Sequence, residues 1–237
     1  DEFDTLLGFE DLPKVNSSNL GVHAYFKRSG ATTVSATMEL AHHAGVAIFA
    51  TGGIGGVHKK YGTNLDVSSD LTALARFPVA VISSGVKSIL DVRATREALE
   101  TLGVPVVGFR TDVFPAFYTR SSDAGVDARF DDAAELAEFV EFERGRTGRG
   151  VLIANPIPEE HEIEAETFNE WNRRVLEEIE TRGTHGRAIT PTMLRLHHEF
   201  SGGKTLSANI ALMKSNADLA GRLASVMREL ELRQPVA

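Results

Sequence analysis

The sequence predicts an α/β protein with a mainly parallel or mixed sheet and a helical C-terminal third. Three observations carry this. Short runs made almost wholly of apolar residues, rich in Val and Ile, recur through the middle of the chain, as buried parallel strands require. Stretches with apolar residues at helical spacing lie between them, the alternation of strand-helix units. After residue 150 the strand-like runs stop and three long helical patterns follow.

Taken in order, 32–44 reads as a helix and 45–50 (GVAIFA) as a strand that ends in a glycine-rich segment. A helix is expected to begin near Ser68 or Ser69, and 78–83 (PVAVIS) forms the next strand. Ile89, Leu90, Val92, Leu99 and Leu102 place a helix over 88–102, followed by a strand at 104–109 (VPVVGF). The stretch 121–131, rich in Ser, Asp and Gly, reads as a loop; 150–154 (GVLIA) is a strand, and 155–161, with Pro156 and Pro158, a second loop. Helical patterns then cover 162–182, 190–200 and about 205–232, with Thr190 as an N-cap and Pro191 at the first helical position. No repeat or low-complexity linker interrupts this, so 1–237 reads as a single domain.

Composition narrows the function. Twenty-five Lys and Arg against 33 Asp and Glu give a net charge of -8, which argues against a nucleic-acid partner, since phosphate backbones are held by dense cationic surfaces. A small anion remains possible, because a few amides and one or two cations suffice to hold it. With no cysteine, disulfides, thiolate metal sites and cysteine nucleophiles are excluded. The apolar runs are too short for a membrane helix and the acidic start does not resemble a signal peptide, so a cytoplasmic protein with no membrane partner is expected.

Three segments can carry chemistry. Gly52, Gly53, Gly55 and Gly56 follow a strand, where glycines let amides approach an anion or adopt positive φ; the spacing matches neither a dinucleotide fingerprint nor a P-loop, and a turn with no ligand is as good a reading. Asp66, Ser68, Ser69 and Asp70 precede a helix; capping is the simpler use, and a hard cation held by one or two carboxylates is the alternative. Lys87 stands between a strand end and a helix start, where open parallel sheets place ligands; burial and a helix N-terminus both disfavour its ammonium, leaving an amine able to attack a sugar aldehyde carbon. The histidines, among them His42-His43, His185 and His197-His198, make no zinc spacing and read as surface or core residues. Asn155 either faces a ligand or ends the sheet.

Taken together, the phrases GATTVSATM (30–38), FATGGIGGVH (49–58), DVSSDL (66–71), GVKSILD (85–91), LETLGVPVVGF (99–109), FPAFYTR (114–120), ANPIPEE (154–160), ITPTML (189–194) and SANIAL (207–212) resemble the pseudouridine-5'-phosphate glycosidases, or indigoidine synthase A family. The resemblance runs from about Lys14 to about Ala224. It implies a layered α/β/α fold, a homotrimer, and reversible cleavage of the C–C glycosidic bond of pseudouridine 5'-phosphate to uracil and ribose 5-phosphate, with one divalent cation, Mn2+. In this likeness Lys87 is the nucleophile that forms an imine with C1' of the sugar, and Asn209 joins it in the catalytic pocket. Asp66 holds the metal, and Lys14, Val34, Ser68, Ser69 and Asp70 contact substrate. The family carries a further N-terminal stretch, lacking here, that includes its proton-donating glutamate; Glu2 and Glu10 fall outside every matching phrase. General acid catalysis is worth about 10² to 10⁴-fold, so a chain without that acid is expected to be slow. An imine-forming lyase on another sugar phosphate and a sugar-phosphate-binding pseudoenzyme are the alternatives.

Overall fold

The computed structural model describes residues 4, 8–9, 12–59, 66–183 and 189–233, so Glu2, Glu10 and His185 lie outside the described residues. Nine strands are described. Five of them, β3 (Ile48–Ala50), β5 (Ala80–Ser83), β9 (Val151–Ala154), β7 (Val106–Phe109) and β8 (Ala128–Phe130), form one sheet in that spatial order. Every neighbouring pair in it is parallel, as the apolar runs predict. Two small sheets flank it: β1 (Lys14–Val15) pairs parallel with β2 (Ala31–Thr32), and β4 (Val57–His58) pairs antiparallel with β6 (Leu90–Asp91).

The pleat divides the strand side chains between two cores. Val79, Val81, Val106, Leu152 and Ala154 face one side with α2 (Val34–His43), α3 (Ser69–Arg76) and α4 (Val92–Thr101). Ala80, Ile82, Val107, Phe109, Val151 and Ile153 face the other, with α5 (Ala133–Thr147) and the long last helix α8 (Lys204–Arg233). Strands buried on both faces must be apolar at every position, which is why these runs do not alternate. Each Val, Leu or Ile buried this way contributes roughly 1.5–3 kcal/mol before chain entropy is counted. The layers are therefore α/β/α.

The remaining helices are α1 (Leu20–Tyr25), α6 (Ala165–Thr181) and α7 (Ile189–Phe200). Val175, Ile179, Met193 and Leu196 pack α6 on α7, and Phe117, Tyr118, Ile157, Ile163, Phe168, Ala208 and Leu212 form a further cluster.

Three expectations are corrected. The helix foreseen over 88–102 starts at Val92, because Asp91 accepts the Ala94 amide as N-cap and Leu90–Asp91 pairs as a strand. Part of the loop foreseen at 121–131 is β8, an edge strand whose exposed Ala128 and Arg129 gave no apolar run to read. The helix α7 begins at Ile189, so Thr190 and Pro191 lie in its first turn, where proline is tolerated. The helix α8 begins at Lys204, close to the expected start, which puts Asn209 in its second turn. Among the described residues, no helix is long and apolar enough to cross a membrane.

Candidate active site

The chain leaving β3 does not part from the chain leaving β5. Thr51 N donates to Ile82 O (2.9 Å), Ser84 N to Gly52 O (2.9 Å), Ile54 N to Gly85 O (3.0 Å) and Lys87 N to Ile54 O (3.1 Å). Parallel pairing thus continues beyond the strands as far as Lys87, with a bridge between Ile54 and Val86. Leu90 N then donates to Lys87 O (2.9 Å) and turns the chain into β6. The Lys87 backbone is therefore tied on both its amide and carbonyl sides, at the carboxyl end of the sheet, where parallel folds place ligands.

The glycines that follow β3 serve close approach rather than positive φ. None of Gly52, Gly53, Gly55 and Gly56 has positive φ, which narrows the expectation drawn from their number. A Cβ on Gly55 would stand 2.2 Å from Ser68 Oγ and 2.8 Å from Asp70 Oδ2, and one on Gly53 would stand 2.6 Å from the Phe117 ring. The left-handed glycine is Gly85 (φ 80°), where a Cβ would meet Pro115 O at 1.7 Å.

That tight packing fastens Asp70. Its side chain is buried; Oδ1 accepts the Ser35 amide (2.9 Å) and Oδ2 the Gly55 amide (2.7 Å), so one carboxylate joins the first turn of α2 to the glycine segment. Ser68 caps α3 by accepting the Asp70 amide (3.2 Å). The Ser69 hydroxyl lies 2.9 Å from that of Ser35, which lies 2.9 Å from Thr33 Oγ1. The capping use expected for this segment is present, and it places Ser68, Ser69 and Asp70 along one seam between α2, α3 and the glycine segment.

Lys87 is an exposed residue by its accessible surface, yet enough of the protein surrounds its side chain that burial lowers its pKa from the ordinary lysine value. The Asp70 carboxylate acts in the opposite direction and raises it, while the Lys14 ammonium lowers it further. Three charges therefore converge. Lys14 reaches this place because its strand pairs Lys14 with Ala31, just before α2, whose first residue is Val34. Thr33 makes no side-chain cap bond there. Two lysines and one carboxylate thus meet beside a helix N-terminus, on a chain of net negative charge.

Asp66 lies at the margin of this site, mostly exposed, with Oδ2 3.6 Å from His58 Nε2. Among the described residues no three His, Asp or Glu side chains gather into a metal cage. An exposed lone carboxylate fits only a hard cation that keeps most of its waters, as Mg2+-like ions do on one or two carboxylates plus phosphate. Asn209 approaches the glycine segment from α8: its Oδ1 is 3.3 Å from where a Cβ on Gly52 would stand. His197, by contrast, is a core residue: it stacks on Phe168, lies 3.2 Å from Asn172 Oδ1, and burial lowers its pKa.

Sequence reasoning missed Asn216. It is fully buried on α8 and bonds to Thr51, Ser84 and Asn155. The signal was present: Ala208, Leu212, Leu219, Leu223 and Met227 form the buried stripe of that helix, and Asn216 is a polar residue on it.

The model of the indigoidine synthase A like protein family matches residues 1–226. A protein of Dinoroseobacter shibae named pseudouridine-5'-phosphate glycosidase is 46% identical over 225 residues, covering 94% of this chain and 74% of its own length. A protein of the same name from Geobacillus kaustophilus is 47% identical over the same shares. Among solved structures, the prealnumycin C-glycosynthase AlnA in complex with ribulose 5-phosphate superposes with a TM-score of 0.91 at 33% identity, over 98% of this chain and 77% of that one. An indigoidine synthase A-like protein from Thermotoga maritima gives 0.81 at 39%, over 91% and 71%. The chain belongs to the indigoidine synthase A-like family.

Proposed function

We propose that this member of the indigoidine synthase A-like family is an enzyme that cleaves the C–C glycosidic bond of pseudouridine 5'-phosphate, releasing uracil and ribose 5-phosphate, with Lys87 as the nucleophile. The observation that carries the reading is the Lys87 amine, its pKa lowered by burial, tied at the sheet's carboxyl edge between Asp70 and Lys14. The relatives' shared name supplies the substrate.

The chemistry needs an amine because a C–C bond has no leaving oxygen to protonate, unlike an ordinary glycoside. The neutral Nζ of Lys87 bonds to C1' while the C1'–O4' bond breaks and O4' takes a proton. A proton delivered to C5 of the base then lets the C1'–C5 bond break as the nitrogen lone pair closes the C=N bond. Water adds to that imine and returns ribose 5-phosphate and the free amine. Lys14 and the α2 N-terminus at Val34 hold the phosphate in this reading, Ser68 and Ser69 the sugar hydroxyls, and Asn209 the opposite side of the substrate. Asp70 positions the seam and sets the charge balance at Lys87. Asp66 would hold Mn2+, which when bound supplies positive charge against phosphate oxygens. The assembly is a homotrimer, for which exposed Leu206 and Ile210 on α8 offer apolar surface.

The test is reductive trapping. Ribose 5-phosphate with borohydride is expected to add one reduced pentose phosphate to the peptide containing Lys87, and Lys87→Ala is expected to lose both the adduct and uracil release. A Lys87→Ala protein that still traps the sugar refutes the assignment. The ribulose 5-phosphate held by AlnA favours running a panel of pentose phosphates and the bond-forming direction beside it.

A further inference from the structure

We propose that Asn216 is a positioning residue for this reaction, clamping the ends of three neighbouring strands so that Lys87 and Asn209 keep their relative placement. The inference rests on the reading of Lys87 as the imine-forming amine.

Asn216 lies in the middle of α8 with no exposed surface. A buried amide without partners costs about 1–3 kcal/mol, so its presence on an apolar stripe demands bonds. It has them. Nδ2 donates to Thr51 O (2.7 Å) and to Ser84 Oγ (3.2 Å), and Oδ1 accepts from Asn155 Nδ2 (2.9 Å). Thr51 O can only accept, which fixes the orientation of the amide. Each partner is the residue directly after a strand: Thr51 after β3, Ser84 after β5, Asn155 after β9. Those three strands are adjacent in the sheet. Asn155 also donates to Ser215 Oγ (3.0 Å), a second tie to the same helix.

The clamp is connected along the chain to both candidate residues. Thr51 opens the rail that ends where Ile54 O accepts the Lys87 amide, and Ser84 opens the rail that contains Lys87 itself. Asn209 precedes Asn216 by seven residues, two turns of one helix, and so lies on the same side and approaches Gly52. One side chain therefore sets the spacing of α8 against the two rails. Only a side chain with a donor and an acceptor can do so; a carboxylate would set an oxygen against the Thr51 carbonyl.

The test uses the full chain and ribose 5-phosphate. Asn216→Asp keeps the shape and the acceptor for Asn155 but removes the donor. Leu223→Ala, two turns further along α8 in the sheet-facing core, is a destabilised control remote from the strand ends. Asn216→Asp is expected to slow the limiting rate of borohydride trapping about tenfold or more while its half-saturating concentration moves by less than about threefold. Leu223→Ala is expected to lower Tm at least as far and to leave that rate within about twofold. A folded Asn216→Asp protein that traps at the wild-type rate overturns the inference, as does an equal loss in Leu223→Ala. If Asn216→Asp does not fold, Ser84→Ala decides: a limiting rate slowed about threefold supports the clamp and an unchanged rate overturns it. No adduct in the wild-type protein overturns the imine reading and the clamp together, whereas wild-type trapping unaltered in the variants overturns the clamp alone.

Discussion

Replacing Asp70 with asparagine separates the two effects of this carboxylate. Both its oxygens accept backbone amides, from Ser35 and Gly55, and the side chain is only 2% exposed. Hydrogen bonds to a charged group contribute about 1.5–3 kcal/mol each, against about 1 kcal/mol for neutral ones. Asparagine keeps one acceptor, now neutral, and turns an NH2 toward the other amide. The loss is one charged bond and the weakening of another, so stability is expected to fall by about 2–4 kcal/mol. The effect on Lys87 has a definite sign. Asp70 raises the Lys87 pKa against burial and Lys14, so removing its charge lowers that pKa further and leaves more neutral amine at any given pH. The acid limb of the trapping rate, which follows deprotonation of Lys87, therefore moves to lower pH in Asp70→Asn. Urea denaturation at neutral pH measures the first effect; borohydride trapping across pH under saturating ribose 5-phosphate measures the second. An acid limb that stays in place or moves to higher pH refutes the electrostatic reasoning, whatever happens to the stability.

Lys14→Met removes the charge that lowers the Lys87 pKa, so its acid limb is expected to move to higher pH, opposite to Asp70→Asn, and half-saturation by ribose 5-phosphate to need more substrate. Asp66→Ala is expected to shift the manganese titration of uracil release to higher concentration with Tm in the absence of metal unchanged, because the side chain is mostly exposed; an unaltered titration removes the metal assignment. Gly55→Ala drives a Cβ to 2.2 Å from Ser68 Oγ and presses on Asp70, so denaturation is expected to show a loss of about 1–3 kcal/mol, and trapping is expected to slow even in folded protein.

The fold was legible where burial acts on both faces of an element. The runs that became β5, β7 and β9 are apolar at every position but Ser83, because helices cover both sides of the sheet, and their length of four residues favours strands over helices. The edge strand β8 was not legible. Ala128 and Arg129 are exposed, so its pairing with Val107 and Gly108 left no mark on composition. The same holds for Leu90–Asp91, whose apolar residue fits a helical period equally well until its pairing with Val57 and His58 decides between them.

At the site, legibility followed chemistry rather than geometry. Lys87 could be singled out because an amine after a strand and a glycine is an uncommon use of lysine, and the seam of Ser68, Ser69 and Asp70 because capping leaves a local pattern. What no local pattern could convey is the way these pieces are held. The Asp70 bond to Gly55 spans fifteen residues, and the Asn216 bond to Thr51 spans 165. Contacts of that kind enter the sequence only as a residue out of character with its neighbours: a glycine where no left-handed φ is needed, or an amide on an otherwise apolar stripe. Gly55 and Asn216 are such residues, and both exist to let a distant polar group approach. Holding an amine at a lowered pKa requires walls close enough to desolvate it and rigid enough not to relax when it charges. In this fold the paired rails after β3 and β5 supply such a frame, and Asn216 ties both to α8.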